Sequence, residues 1–118
     1  MQYHVKTYQG VNITLTNDFE LNQYLATLNN HQIESVAIGK VSMLKRNIQR
    51  IYPVYGPNET PVGEEVLVYS VREQEPFVAH AEAYDASQVT KQVNDRYAFI
   101  LIGDTIINRD DYSLVMQK

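Results

Sequence analysis

The sequence predicts an α+β fold, mostly antiparallel sheet with two helices, and three observations predict it. Short apolar or alternating runs recur between turn residues along the whole chain, as strands do. Two segments, near 18–29 and 86–95, instead space their apolar residues as one helical face behind a capping residue. The second of these and the strands after it echo the first, which suggests two strand–strand–helix–strand–strand repeats, each ending in a short extra strand, packed as one domain.

From the start of the chain, Tyr3 to Tyr8 and Val11 to Thr16 alternate as paired strands around a Gln9-Gly10 turn. Asn17-Asp18-Phe19-Glu20 reads as a capping box, and Leu21, Tyr24, Leu25 and Leu28 follow at helical spacing. Asn29-Asn30-His31 ends the helix, and Ile33 to Ile38 opens the next strand. Pro53 to Gly63 holds three of the four prolines and two of the five glycines, a connector between halves 1–52 and 64–118.

Glu65 to Arg72 reads as a strand, and another runs from Phe77 to Tyr84. On it Phe77, Ala79, Ala81 and Ala83 share a face that lets a helix approach closely. Asp85-Ala86-Ser87-Gln88 is a second capping box, with Val89 and Val93 on the buried stripe. Ala98 to Ile102 is apolar on both faces, so both should be covered. Gly103-Asp104 then forms a turn whose first residue needs a positive φ, Thr105 to Ile107 returns, and Tyr112 to Met116 is the last strand.

Set 64 residues apart, Val36 to Ile51 and Ile100 to Val115 align hairpin on hairpin, Ile38-Gly39 under Ile102-Gly103. The two capping boxes align at an offset of 68, Asn17 with Asp85. Halves of this size are marginal alone and should share one core.

At 118 residues and 44% hydrophobic content the chain can bury a core without staples, and having no cysteine it has no disulfide, cysteine zinc site or thiol nucleophile. No apolar run approaches the roughly 20 residues of a membrane span, and Met1-Gln2-Tyr3-His4 lacks a signal-peptide layout. A soluble, cytoplasmic protein without membrane partners is expected.

The net charge of −4 hides a polarity. Residues 1–58 carry five basic and three acidic side chains, residues 59–118 five basic and eleven acidic. Lys40, Lys45, Arg46 and Arg50, with Tyr52 and Tyr55 beyond, are the candidate binding residues, since cations attract phosphates or carboxylates and rings can stack on bases. The acidic total argues against nucleic acid as the main partner. Six of the nine tyrosines, Tyr3, Tyr8, Tyr69, Tyr84, Tyr97 and Tyr112, fall in expected strands and suit core or interface packing.

His80 and Glu82 point to one side of their strand and could bind a metal or a proton; exposed sheet residues explain them more simply. Phosphate loops, nucleophile elbows and the His-Glu-x-x-His metal pattern are all missing, so no catalytic residue, metal ligand or cofactor is assigned.

The stretch Phe99 to Val115, an apolar strand, Gly-Asp, Thr-Ile-Ile-Asn, a polar turn and an apolar strand, resembles the ends of small proteins of Gram-positive bacteria and their prophages. The Asn- and Gln-rich composition fits such a source, and the resemblance implies no activity. Three readings follow in order. The first is a non-enzymatic module that binds a protein, itself included. The second is a nucleic-acid or anion binder using Lys40 to Arg50, and the third a small enzyme using His80, Glu82 and Asp85.

Overall fold

The computed structural model describes residues 1–15 and 20–118. Among them are ten strands and two helices, the α+β class expected. The first half runs β1 (Gln2–Thr7), β2 (Asn12–Leu15), α1 (Leu21–Leu28), β3 (Ser35–Ile38), β4 (Val41–Leu44) and β5 (Ile48–Val54). The second runs β6 (Glu64–Ser70), β7 (Phe77–Ala81), α2 (Ala86–Asn94), β8 (Phe99–Ile102), β9 (Thr105–Asn108) and β10 (Tyr112–Gln117). All pairings are antiparallel. They build a five-stranded sheet β2-β1-β5-β9-β8, a three-stranded sheet β10-β6-β7 and the hairpin β3-β4.

The β8–β9 hairpin is apolar on both faces because it lies between two cores. Phe99 and Ile106 belong to the first, with Val5, Leu28, Val36, Ile38, Ile48 and Ile51. Ile100, Ile102 and Ile107 belong to the second, with Val66, Val68, Ala79 and Val89. Both helices pack on β8. Its outer edge is closed by two amide side chains that take the place of a strand. Asn29, the last-turn cap of α1, donates to Phe99 O at 3.0 Å and accepts from Phe99 N at 2.8 Å. Gln92 of α2 does the same for Leu101, at 2.9 and 2.8 Å.

The two halves follow one pairing scheme down to its irregularity. β1 pairs β5 with a register shift that leaves Gln49 unopposed, between Lys6↔Arg50 and Thr7↔Ile48. β6 pairs β10 with the same shift, leaving Ser113 unopposed between Tyr69↔Leu114 and Ser70↔Tyr112. Just outside, Tyr8 N donates to Asn47 O and Val71 N donates to Asp111 O, at 3.0 and 2.8 Å. The hairpin turns carry Gly39 at φ 60° and Gly103 at φ 58°. The halves differ in one pairing: β9 joins the edge of β5, whereas β10 and β4 both end their sheets.

Several sequence expectations need correction. Helix α1 begins at Leu21, later than 18, and Glu20 is its extended N-cap with no side-chain capping bond; Asn17 lies outside the described residues. The α2 capping box reduces to one bond, Asp85 accepting from Ser87 N at 2.9 Å. With Glu20 and Asp85 as the caps, the helices sit 65 apart, close to the hairpin offset of 64 and not at 68. Strand β7 stops at Ala81, so Ala83 and Tyr84 lie in the turn before α2. The final strands are not short: β5 spans seven residues and β10 six. Tyr8, Tyr84 and Tyr97 fall outside the strands.

The free edge of β7 takes up the β8–β9 turn, Asp104 N donating to His80 O at 3.0 Å. A Cβ on Gly103 would lie 2.2 Å from His80 O, whereas one on Gly39 would meet nothing within 4 Å. Both glycines have positive φ, so Gly39→Ala reports the conformational cost alone, about 1 kcal/mol. Gly103→Ala should cost clearly more, read from denaturant midpoints, and equal losses would remove the close approach. A second outcome concerns the β8 edge. Gln92→Ala strips two half-buried hydrogen bonds and should cost about 1–2 kcal/mol, with faster hydrogen exchange at the Leu101 amide.

Candidate functional site

On the three-stranded sheet, Val66, Val68 and Ala79 point inward to the second core. The opposite face should by alternation be polar, yet it carries Leu67 and Tyr69 on β6, Val78 on β7, and Leu114 and Met116 on β10. Cross-strand registers make these contiguous: Leu114 opposes Tyr69, Met116 opposes Leu67, and Leu67 opposes Val78. Val78, Leu114 and Met116 keep 43, 46 and 48% of their surface exposed. The corresponding face of the first half is polar, with His4 and Lys6 on β1 opposing Tyr52 and Arg50 on β5. The partly bare apolar face therefore belongs to one half only and is not a general property of the unit.

At the end of β7 that face runs into an open cavity of about 530 Å³ lined by Tyr3, Tyr55, His80, Glu82 and Asp104. Asp104 organises it. Its carboxylate accepts from the Tyr55 hydroxyl at 2.8 Å, from His80 N at 3.0 Å and from Thr105 Oγ1 at 3.1 Å. Burial pushes the Tyr55 hydroxyl well above its ordinary pKa, and the bond to Asp104 adds to this. His80 Nδ1 stands 3.7 Å from the same carboxylate, with its ring edge-on to Tyr55 at 6.1 Å. Glu82 thus shares a cavity with His80, though it lies beyond the strand. Asp85 lies elsewhere, as the cap of α2.

The six sequence-predicted binding residues are not brought together. Lys40 is exposed in the β3–β4 turn. Lys45 and Arg46 lie at the other end of β4 in a 3₁₀ turn, Lys45 donating to Asn30 O at 2.8 Å. Tyr52 packs on His4, and Tyr55 belongs to the cavity. Arg50 is the clear correction, being 8% exposed and committed to internal contacts. Its guanidinium lies 4.1 Å over the Phe77 ring and 5.5 Å from that of Tyr52. Its Nη1 is 3.0 Å from Glu73 Oε1 but off the hydrogen-bonding line, so that contact is ionic.

Glu73 gathers the halves at this point. It accepts from Lys6 at 3.0 Å and from Gln49 at 3.3 Å, while Gln49 also donates to the buried Asp111, which accepts from Ser70 at 2.7 Å. Burial opposes ionisation of Glu73, but Lys6 and Arg50 outweigh it and hold its pKa below the ordinary 4.5.

Of the apolar face the sequence singles out only Tyr69, among the strand tyrosines suited to core or interface packing. The signal that could have found the others is a strand apolar on both faces, present in Leu67 to Tyr69 and Leu114 to Met116. Compared with protein-family models, curated proteins and solved structures, the chain finds no match in any of the three.

The depressed Glu73 pKa has a definite sign. A carboxylate with a lower folded than unfolded pKa stabilises the fold above the unfolded value and loses that contribution as pH falls through the folded one. Glu73→Gln should therefore cost on the order of 1 kcal/mol at pH 7, and the gap to wild type should close below about pH 4. Urea melts across that range read it.

Proposed function

We propose that this chain is a non-enzymatic protein-binding module whose docking face is the outer side of the β7-β6-β10 sheet. The observation that carries the proposal is the contiguous apolar group of exposed Leu114, Met116 and Val78 around half-buried Leu67, on a sheet whose other face already fills a core. A protein surface is the partner that buries such a face, at roughly 25 cal/mol per Å² of apolar area. The nucleic-acid reading ranks second because its cations are dispersed and Arg50 is internally paired. The enzyme reading rests on the Asp104 cluster, where a strongly raised tyrosine pKa and a carboxylate taken up by three donors make a structural hub rather than a reactive group. The same proposal takes the chain as two copies of one ββαβββ unit, supported by the shared register shift.

Leu67→Glu combined with Val78→Glu places charge on the outer face without touching the core. The immobilised wild-type chain should retain a protein at fixed stoichiometry, this chain included, and the variant should lose it while its circular dichroism and melting stay unchanged. Retention of the same protein by both would reject the docking face. Retention of single-stranded DNA alone, lost on Lys45→Glu with Arg46→Glu, would put the second reading first.

A further inference from the structure

We infer that the protein bound at this sheet is a second copy of the chain, which adds its β4 strand to the open edge of β10 where that edge borders the apolar face; the inference rests on the protein-binding reading above. Three observations support it. The first is the precedent inside the molecule: the edge of β5 is occupied by β9, in the register Arg50↔Ile107 and Ile51↔Ile106. Leu114 and Val115 stand to Tyr69 and Val68 as Arg50 and Ile51 stand to Lys6 and Val5. Met43 and Ser42 stand to Val36 and Ala37 as Ile107 and Ile106 stand to Ile100 and Leu101. The equivalent pairing would be Leu114↔Met43 and Val115↔Ser42. Within one chain it is not made, since β10 and β4 each end a sheet.

The second observation is how differently the edges are protected. β8 is sealed by Asn29 and Gln92. Along β10 and β4, among the described residues, the side-chain bonds to backbone are Tyr84 Oη to Val115 O at 3.4 Å and Ser35 Oγ to Met43 O at 2.9 Å. Neither strand contains a proline or a charged residue, the devices that ordinarily keep an edge from pairing. Val41, Leu44, Leu114 and Met116 are 37, 39, 46 and 48% exposed, an apolar surplus on both edges.

Charge at the ends of the two strands is the third. In the inherited register the exposed Lys40 arrives at Gln117, whose side chain is bonded to Glu64. Lys45 and Arg46 arrive at Tyr112 and Asp111, beside the exposed Asp110. Lys40 thus approaches Glu64 at an end where Lys118 already pairs with Glu65, while Lys45 and Arg46 approach Asp110, Asp111 being buried; these contacts set direction and register while the apolar residues supply the affinity. A contact between unlike surfaces closes into a ring when reciprocated and otherwise propagates head to tail.

The absence of cysteine makes the register directly testable. Full-length Leu114→Cys and Met43→Cys chains, mixed and mildly oxidised, should give a heterodisulfide, because directly opposed strand residues fall within disulfide reach. Leu114→Cys mixed with Ala37→Cys, one strand further in, should give little. Sedimentation should show association weakened between about 0.1 and 1 M salt. Leu114→Lys should weaken it by about tenfold or more with melting unchanged. Association without the Leu114–Met43 link, or undiminished by Leu114→Lys, would overturn the inference. A chain that stays monomeric yet retains another protein through Leu67 and Val78 would overturn this partner and leave the docking face standing. A monomer that retains nothing would overturn both.

Discussion

The structure depends on one constraint: the β8–β9 hairpin is apolar on both faces and has to be covered on both. Phe99, Ile100, Ile102, Ile106 and Ile107 are at most 1% exposed, and burial of each contributes roughly 1.5–3 kcal/mol. Neither half supplies two covering layers by itself. The hairpin therefore joins the β5 edge of the first half while its reverse face stays on the second, and the two cores become one body. The Cα radius of gyration of 13.7 Å is that of a single compact unit of this length, for which about 13–14 Å is usual.

Polar contacts then fix what burial leaves free. Hydrophobic coverage has no direction, so it cannot set where the helices lie along β8. Asn29 and Gln92 do, each satisfying one donor and one acceptor that a strand would otherwise have taken. At the far side of the junction the Lys6, Arg50 and Glu73 group ties the β6–β7 loop to the first sheet. Arg50 faces the second core there, and the Phe77 ring with the Glu73 carboxylate satisfies a cation that burial would otherwise penalise.

The asymmetry between the halves is where function enters. Positions that carry Arg50 and Tyr52 on β5 carry Leu114 and Met116 on β10, so the face covered within the chain is polar and the face left bare is apolar. That inversion is hard to explain by stability of the single chain, since a bare apolar row gains nothing from water. The proposed docking face rests on it. The Asp104 cavity adjoins the same face, with Asp104 accepting from the Tyr55 hydroxyl and the His80 backbone N–H.

The sequence by itself determined the class, the element order, both helices, the positive φ at Gly103 and the two-sided burial of Ala98 to Ile102. Each of these is written in local periodicity or in the conformational freedom of one residue. Only the tertiary structure decided which two-faced strands are covered. Leu67 to Tyr69 and Leu114 to Met116 read like Phe99 to Ile102, yet the last is covered on both faces and the others on one. Periodicity records that a face is apolar and not what lies against it. The dispersal of the basic segment is hidden from the sequence for the same reason. Lys40, Lys45, Arg46 and Arg50 are neighbours along the chain, but a turn, a strand and a bulge send them in different directions, and Arg50 meets Glu73 from 23 residues further on. Pairings over such separations follow from how sheets join, which no short stretch of sequence contains.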